Sequence, residues 1–212
     1  WHARGRRVGA LIPTLLKPES SGDVSLVRDG SDVKPRIEFN YLDDPRDRLR
    51  LVDGARRAFD ILLSPEVRPL WHCAYPVSRP NKMRALNDIT TFNSVRAKIL
   101  AGLFDTLPAI GRPVLAGLSE PGVDIAELAK DPEALDEIVG KSIAGVFHPA
   151  GTCRMGAADD AAAVTDPQGR VYGVSGLRVV DASLMPRLPR GNTNLPTIMM
   201  AEKVSAEMLA GA

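Results

Sequence analysis

The sequence predicts an α+β fold, an antiparallel sheet accompanied by helices, and three observations predict it. Short alternating stretches near the N-terminus, bounded by Gly, Asp and Pro, have the period of strands joined by turns. From Pro45 onward the apolar period becomes helical. After His148 the chain turns to short β-branched runs and Gly/Pro loops, then ends in a helical pattern.

Taken in order, Val8-Gly9-Ala10-Leu11-Ile12-Pro13-Thr14-Leu15-Leu16 is too short for a membrane and is expected to be a buried strand, or two broken by Pro13. Ser20-Ser21-Gly22-Asp23 is a turn signal. Val24 to Arg28 alternates and Asp29-Gly30-Ser31-Asp32 closes it; Pro35 to Tyr41 alternates again. The first quarter is thus expected to be a sheet with one wet face. Asp43-Asp44-Pro45 starts a helix predicted over 45–63, with Leu49, Leu51, Val52, Ala55, Ala58, Phe59, Ile61 and Leu62 on one face. Residues 64–80 are irregular, and His72 there is expected to be structural. Residues 91–117 are helical in period until Pro108 and Pro113 interrupt them, and Glu120-Pro121-Gly122 is a turn. A helix pair over 124–143 restarts at Asp131-Pro132. Asp166-Pro167-Gln168-Gly169 is a tight turn, Leu177-Arg178-Val179-Val180 a buried strand ending at Asp181, and the last helix runs from about Pro196 to Leu209.

The 212 residues allow one large domain or two small ones. Apolar residues make up 44% and charged residues 25%, an ordinary globular balance. A net charge of +1 supplies no field to draw nucleic acid or an anionic membrane. The small Arg4, Arg6, Arg7 cluster is expected on a solvated face or against an absent partner segment. No apolar run is long enough to span a bilayer and no signal peptide opens the chain. The two cysteines, Cys73 and Cys153, form neither a disulfide framework nor a zinc spacing, so a reducing, cytoplasmic compartment is expected. The chain begins with Trp1, which fits a fragment, a processed chain or a trimmed one.

Chemistry concentrates in two loops. His148 precedes Pro149 and Gly151, so the backbone around the imidazole is constrained. Asn192, 44 residues later, lies just before a helix N-terminus. A neutral imidazole accepts a proton from an alcohol, an amide donates to the same oxygen, and a helix N-terminus favours an anion. On spacing alone, the plainer reading that Asn192 and Asn194 only shape the helix start is preferred. Cys153 lies near His148, yet a buried thiol packed beside the loop is favoured over a nucleophilic Cys/His pair. Ser142, Ser175 and Ser183 lack the surroundings of a hydrolase nucleophile.

Three ordered motifs, His148-Pro149-Ala150-Gly151-Thr152-Cys153-Arg154-Met155-Gly156, Leu177 to Pro186, and Gly191 to Lys203, resemble the C-terminal signature of the glucose–methanol–choline (GMC) flavoprotein oxidoreductases. Leu16 to Gly22 and Pro35 to Asp47 resemble the start of that family's C-terminal region, and Phe92 to His148 is more similar to its hydroxymethylfurfural oxidase branch. The resemblance implies a substrate-binding domain over 1–146, followed over 147–212 by active-site loops and a return segment of an FAD-binding α/β domain. It implies oxidation of a primary alcohol to an aldehyde, with His148 taking the proton as hydride passes to flavin N5 and Asn192 as the second catalytic residue. It also implies FAD contacts at Asp181, Ala182, Thr193, Asn194 and Thr197, and Phe147 lining the substrate pocket. The family's G-x-G-x-x-G fingerprint is absent here. An N-terminal FAD-binding half, in the same or a separate chain, is therefore the expected partner, and this chain alone is expected to be inactive. A non-catalytic module and a hydroxynitrile lyase of the same fold are the alternative readings.

Overall fold

A computed structural model describes residues 9–71, 74, 76, 90–106 and 124–211. The Arg4, Arg6, Arg7 cluster, His72, Cys73, the two interrupting prolines and the Glu120-Pro121-Gly122 turn lie outside the described residues. Among those described, the order is β1 (Asp23–Asp29), β2 (Asp32–Glu38), α1 (Pro45–Leu63), α2 (Thr91–Thr106), α3 (Ile125–Leu128), α4 (Pro132–Ser142) and α5 (Asn194–Ala210). Helices with a small antiparallel sheet make this an α+β chain.

β1 and β2 form a two-stranded antiparallel ribbon that pairs Val24 with Ile37, Leu26 with Pro35 and Arg28 with Val33. Alternation puts these side chains on one face and Ser25, Val27, Lys34 and Arg36 on the other. The expectation of a single wet face is corrected: Leu26 is 75% exposed and Ile37 57%, and the charged face is exposed as well. Two strands give a ribbon no layer of its own to bury, and Pro35, which donates no ladder bond, is at home in such an edge.

The chain groups into two units, Trp1–Thr14 with Arg48–Ala144, and Leu15–Asp47 with Gly145–Ala212. The grouping is discontinuous, whereas the sequence reading drew one boundary after residue 146.

α1 has the predicted bounds, with its first three residues in the second unit and the rest in the first. The Asp44 carboxylate at its start accepts from Arg46 N–H at 2.8 Å, and Pro45 takes the first helical position, where no donor is lost. Leu51, Val52, Ala55, Ala58, Phe59 and Leu62 form a half-buried stripe, while Leu49 and Ile61, assigned to that face, are 69% and 51% exposed. A bidentate ion pair ties the helix to α4, Arg48 Nε and Nη2 donating to Asp136 at 2.7 and 2.6 Å. The restart at Asp131-Pro132 is observed: Asp131 accepts from Glu133 and Ala134 N–H at 3.1 and 3.0 Å and so caps α4. Ile125, Leu128 and Leu135 are the buried residues of this helix pair. The expected buried strand at the start of the chain is corrected for its described part, residues 9–16: no strand forms, and Leu11 and Ile12 are exposed. The run is apolar, but Pro13 removes a donor from the ladder it would need.

In the second unit, Leu184, Met185 and Val204 make the apolar core, with Thr165 fully buried beside polar loop backbone. Leu177 to Val180 forms no strand. Arg178 makes one isolated antiparallel bridge to Arg170, and Leu177 is 50% exposed. A β-branched run has the propensity for a strand but becomes one only with a partner ladder. α5 begins at Asn194, two residues ahead of expectation, so Pro196 is its third residue. Within α5 only Val204 is buried; Ile198, Met199 and Met208 are about half exposed. No described helix is long and apolar enough to cross a membrane.

Candidate active site

The His148 loop is fastened by its own backbone. The N–H groups of Gly151, Cys153 and Met155 donate to the carbonyls of Ala182, Ser183 and Leu184 at 3.3, 3.0 and 2.9 Å. Leu184 and Met185 are buried, so the loop hangs from the core. Gly151 is required at its place: its φ is +88°, and a Cβ would stand 3.2 Å from the Met185 carbonyl oxygen. The Ala182–Leu184 segment is a single 3-10 turn whose start is held by Asp181, which accepts from Ser183 N–H at 2.7 Å and from the Ser183 hydroxyl. The far end of the loop is pinned by Arg154, whose Nη2 donates to both Asp160 oxygens at 2.7 Å.

Asp166 organises the turn beyond. Its carboxylate accepts from Gln168 and Arg170 N–H, each at 2.9 Å, and from Arg170 Nε at 2.6 Å. Burial pushes this carboxyl up, but the hydrogen bonds from the Arg170 side chain, its N–H and the Gln168 N–H together outweigh burial, and the net shift is downward.

Each proposed site residue has a definite place. His148 is half-buried, and its Nδ1 lies 2.8 Å from Oγ1 of Thr193. Thr193 is 7% exposed and occupies the cap position of α5 without making a side-chain cap bond. Neither Asn192 nor Asn194 therefore holds the cap; both flank Thr193 and are exposed. Thr197 returns to the same residue, its N–H and hydroxyl donating to the Thr193 carbonyl at 2.9 and 2.7 Å. Phe147, next to His148, is 95% exposed with φ of +62°, a backbone region costly for a side chain of this size. Asp181 is exposed, and Ala182 meets the His148 loop through its carbonyl. Cys153 is a free, half-buried thiol.

The sequence reading missed the His148–Thr193 contact. The signal was available: a cap hydroxyl accepts from the second or third helical N–H, and Pro196, at the third position, has none.

What the arrangement can do chemically follows from its donors. A held imidazole and a helix N-terminus without a side-chain cap meet at Thr193, and an exposed amide, that of Asn192, precedes it in the chain. Together they suit proton removal from a hydroxyl beside a site that tolerates negative charge.

A family model described as GMC oxidoreductase matches residues 18–201. The chain is 36% identical over 196 residues to a 5-(hydroxymethyl)furfural oxidase from a Methylovorus species, covering 92% of this chain and 30% of that protein. It is 32% identical over 189 residues to an oxygen-dependent choline dehydrogenase of Vibrio vulnificus, covering 89% of this chain and 25% of the relative. Among solved structures, pyridoxine 4-oxidase from Mesorbium loti superposes with a TM-score of 0.52 at 25% identity, over 91% of this chain and 28% of that one. A fungal aryl-alcohol oxidase, at 22% identity and a TM-score of 0.58 over 91% of this chain and 24% of that one, shares the fold. The chain thus spans less than a third of the length of these relatives.

Proposed function

The chain belongs to the GMC oxidoreductase family, and from that premise we propose that it supplies the proton-handling face of an FAD-dependent oxidation of a primary alcohol to an aldehyde. The observation that carries this reading is the imidazole of His148 held against Thr193, at the N-terminus of α5, with Asn192 adjacent in the chain.

FAD is tested by the donor set. Because Thr193 spends its hydroxyl on His148, no side chain caps α5, and the first N–H groups of the helix, on the exposed residues Asn194 and Leu195, fit the negative edge of a reduced flavin ring. The residues fit, and in this reading Thr193, Asn194 and Thr197 hold the ring while Asp181 and Ala182 hold the ribitol and phosphate stretch. Bound FAD supplies the two-electron acceptor for the carbinol C–H bond.

His148 accepts the hydroxyl proton through Nε2, since Nδ1 faces Thr193. The Asn192 amide donates to the alcohol oxygen and steadies the charge that develops there. Phe147, held outward, contributes an aromatic wall to the substrate side. With no G-x-G-x-x-G in the sequence, the adenosine end of FAD is held by an N-terminal FAD-binding half, the proposed partner, and the chain by itself is inactive.

The test joins this chain to a dinucleotide-binding half, purifies the assembly with its flavin and follows loss of flavin absorbance on adding a primary alcohol. His148→Ala is expected to slow bleaching by about 10²- to 10⁴-fold. Undiminished bleaching in that variant sinks the assignment, and cyanohydrin cleavage without any bleaching transfers it to a lyase.

A further inference from the structure

Thr193 is in an unusual position for a capping residue. A threonine at the start of a helix ordinarily accepts from the N–H of the second or third helical residue. In α5 the third residue is Pro196, which has no N–H, and the Thr193 side chain makes no cap bond. Its hydroxyl lies instead 2.8 Å from Nδ1 of His148. The residue is anchored for this work. It is 7% exposed, its carbonyl is held by both the N–H and the hydroxyl of Thr197, and β-branching leaves its χ1 few choices.

We propose that Thr193 is the positioning residue of His148: its hydroxyl oxygen accepts the Nδ1–H, so that the neutral ring carries its one proton on Nδ1 and presents Nε2 as a lone pair. The proposal rests on the reading of His148 as the base. A neutral imidazole has one donor and one acceptor nitrogen, and the partner of one nitrogen decides the state of the other. A ring with its proton on Nε2 has no lone pair on the substrate side to receive an alcohol proton, because its one basic nitrogen, Nδ1, then faces Thr193. When the alcohol O–H bond breaks and the Nε2–H bond forms, the ring passes from neutral to cationic and Nδ1 keeps its proton throughout. The Thr193 bond is therefore the same before and after transfer, and no group has to turn during the step. The same diversion leaves the α5 N-terminus without a side-chain cap, so one hydroxyl both orients the base and keeps the helix end open to a negative charge.

The experiment reads the tautomer directly in this chain. With 15N-labelled histidine, long-range proton–nitrogen correlations at a pH where the ring is neutral report which nitrogen carries hydrogen; subtraction of a His148→Gln spectrum removes the signals of His2 and His72. The wild type is expected to show a protonated Nδ1 and a bare Nε2. Thr193→Val, which keeps the shape and removes the hydroxyl, is expected to shift the population toward the Nε2–H form that free imidazole favours, and Thr193→Ser to restore the Nδ1–H form. Circular dichroism establishes that each variant keeps its helix. A wild-type ring already protonated on Nε2, or a Thr193→Val ring identical to wild type, overturns the proposal. In the flavin-loaded assembly, Thr193→Val is expected to lower kcat by roughly 10- to 100-fold with little change in KM, the scale on which removing the partner of an imidazole's second nitrogen acts. A Thr193→Ser variant as slow as Thr193→Val overturns the role of the hydroxyl. Should His148→Ala retain turnover, the base assignment falls, and the tautomer spectra still decide the Thr193 contact on their own.

Discussion

At the scale of single residues, three carboxylates fasten loops by accepting backbone N–H groups. Asp47, 1% exposed, accepts from Glu19 N–H through both oxygens, at 3.0 and 2.9 Å, and from Ser20 N–H at 2.7 Å. Burial pushes its carboxyl up, but the Glu19 and Ser20 hydrogen bonds prevail and the net shift is downward, as at Asp166. Asp44 is lowered from 3.8 to about 2, first by the Arg46 side chain and then by the Arg46 N–H. A carboxylate depressed in the folded state stabilises the fold above its ordinary pKa and loses that contribution as pH falls through the folded value. Stability is therefore expected to drop between about pH 4 and pH 2, read as urea midpoints across that range. Asp44→Ser, which still caps α1 but does not titrate, is expected to flatten part of the drop. Asp166→Ala, which strands the Gln168 and Arg170 donors, is expected to cost about 1–3 kcal/mol in the same assay. Of these captures the Asp44 cap was legible in the sequence, as the start signal Asp44-Pro45, whereas those made by Asp47 and Asp166 were not. The Asp166-Pro167-Gln168-Gly169 turn was, but not which side chain would hold it, because the donors become neighbours only after the turn has closed.

At the scale of elements, strength lies where backbone meets backbone. Gly169 has φ of +74°, and a Cβ there would come 2.4 Å from the Val179 carbonyl oxygen; Gly173 has the same φ and open space. Gly173→Ala is expected to cost about 1 kcal/mol, from φ alone, and Gly169→Ala more than about 2 kcal/mol, since the Val179 carbonyl must also move. Equal thermal shifts in the two variants would contradict the role given to that carbonyl. Elements with a chemical start signal were legible: Asp44-Pro45 fixed α1, and Asp131-Pro132 fixed the restart at α4, because a cap and a proline act locally. The start of α5 was misplaced because proline is tolerated anywhere in the first turn, and here it sits third. Leu177 to Val180 was misread because propensity belongs to the segment whereas a ladder belongs to a pair.

At the scale of the molecule, the β1–β2 ribbon presents Val24, Leu26, Val33 and Ile37 to solvent on a single face, each more than half exposed. Replacing Leu26 and Val33 with Thr is expected to change the stability of this chain by no more than about 0.5 kcal/mol and to reduce self-association and binding of a hydrophobic dye. A large loss of stability would mean that the face is already covered. The motifs around His148 and Asn192 were legible at this scale because loop chemistry is written in consecutive residues. The tie between them was not, because His148 and Thr193 are far apart in sequence and meet only in the fold.

The discontinuous second unit also bears on how the chain is made. Residues 15–47 leave the ribosome about a hundred residues before the segment they group with, 145–212. Gly145 shows how close that late pairing is: a Cβ there would stand 2.3 Å from the Tyr41 hydroxyl. Until 145–212 emerges, the ribbon and Tyr41 are without the other half of their unit. A nascent chain arrested after residue 144 should therefore be nicked by protease within 15–47, and the nicking should cease once the last helix is released.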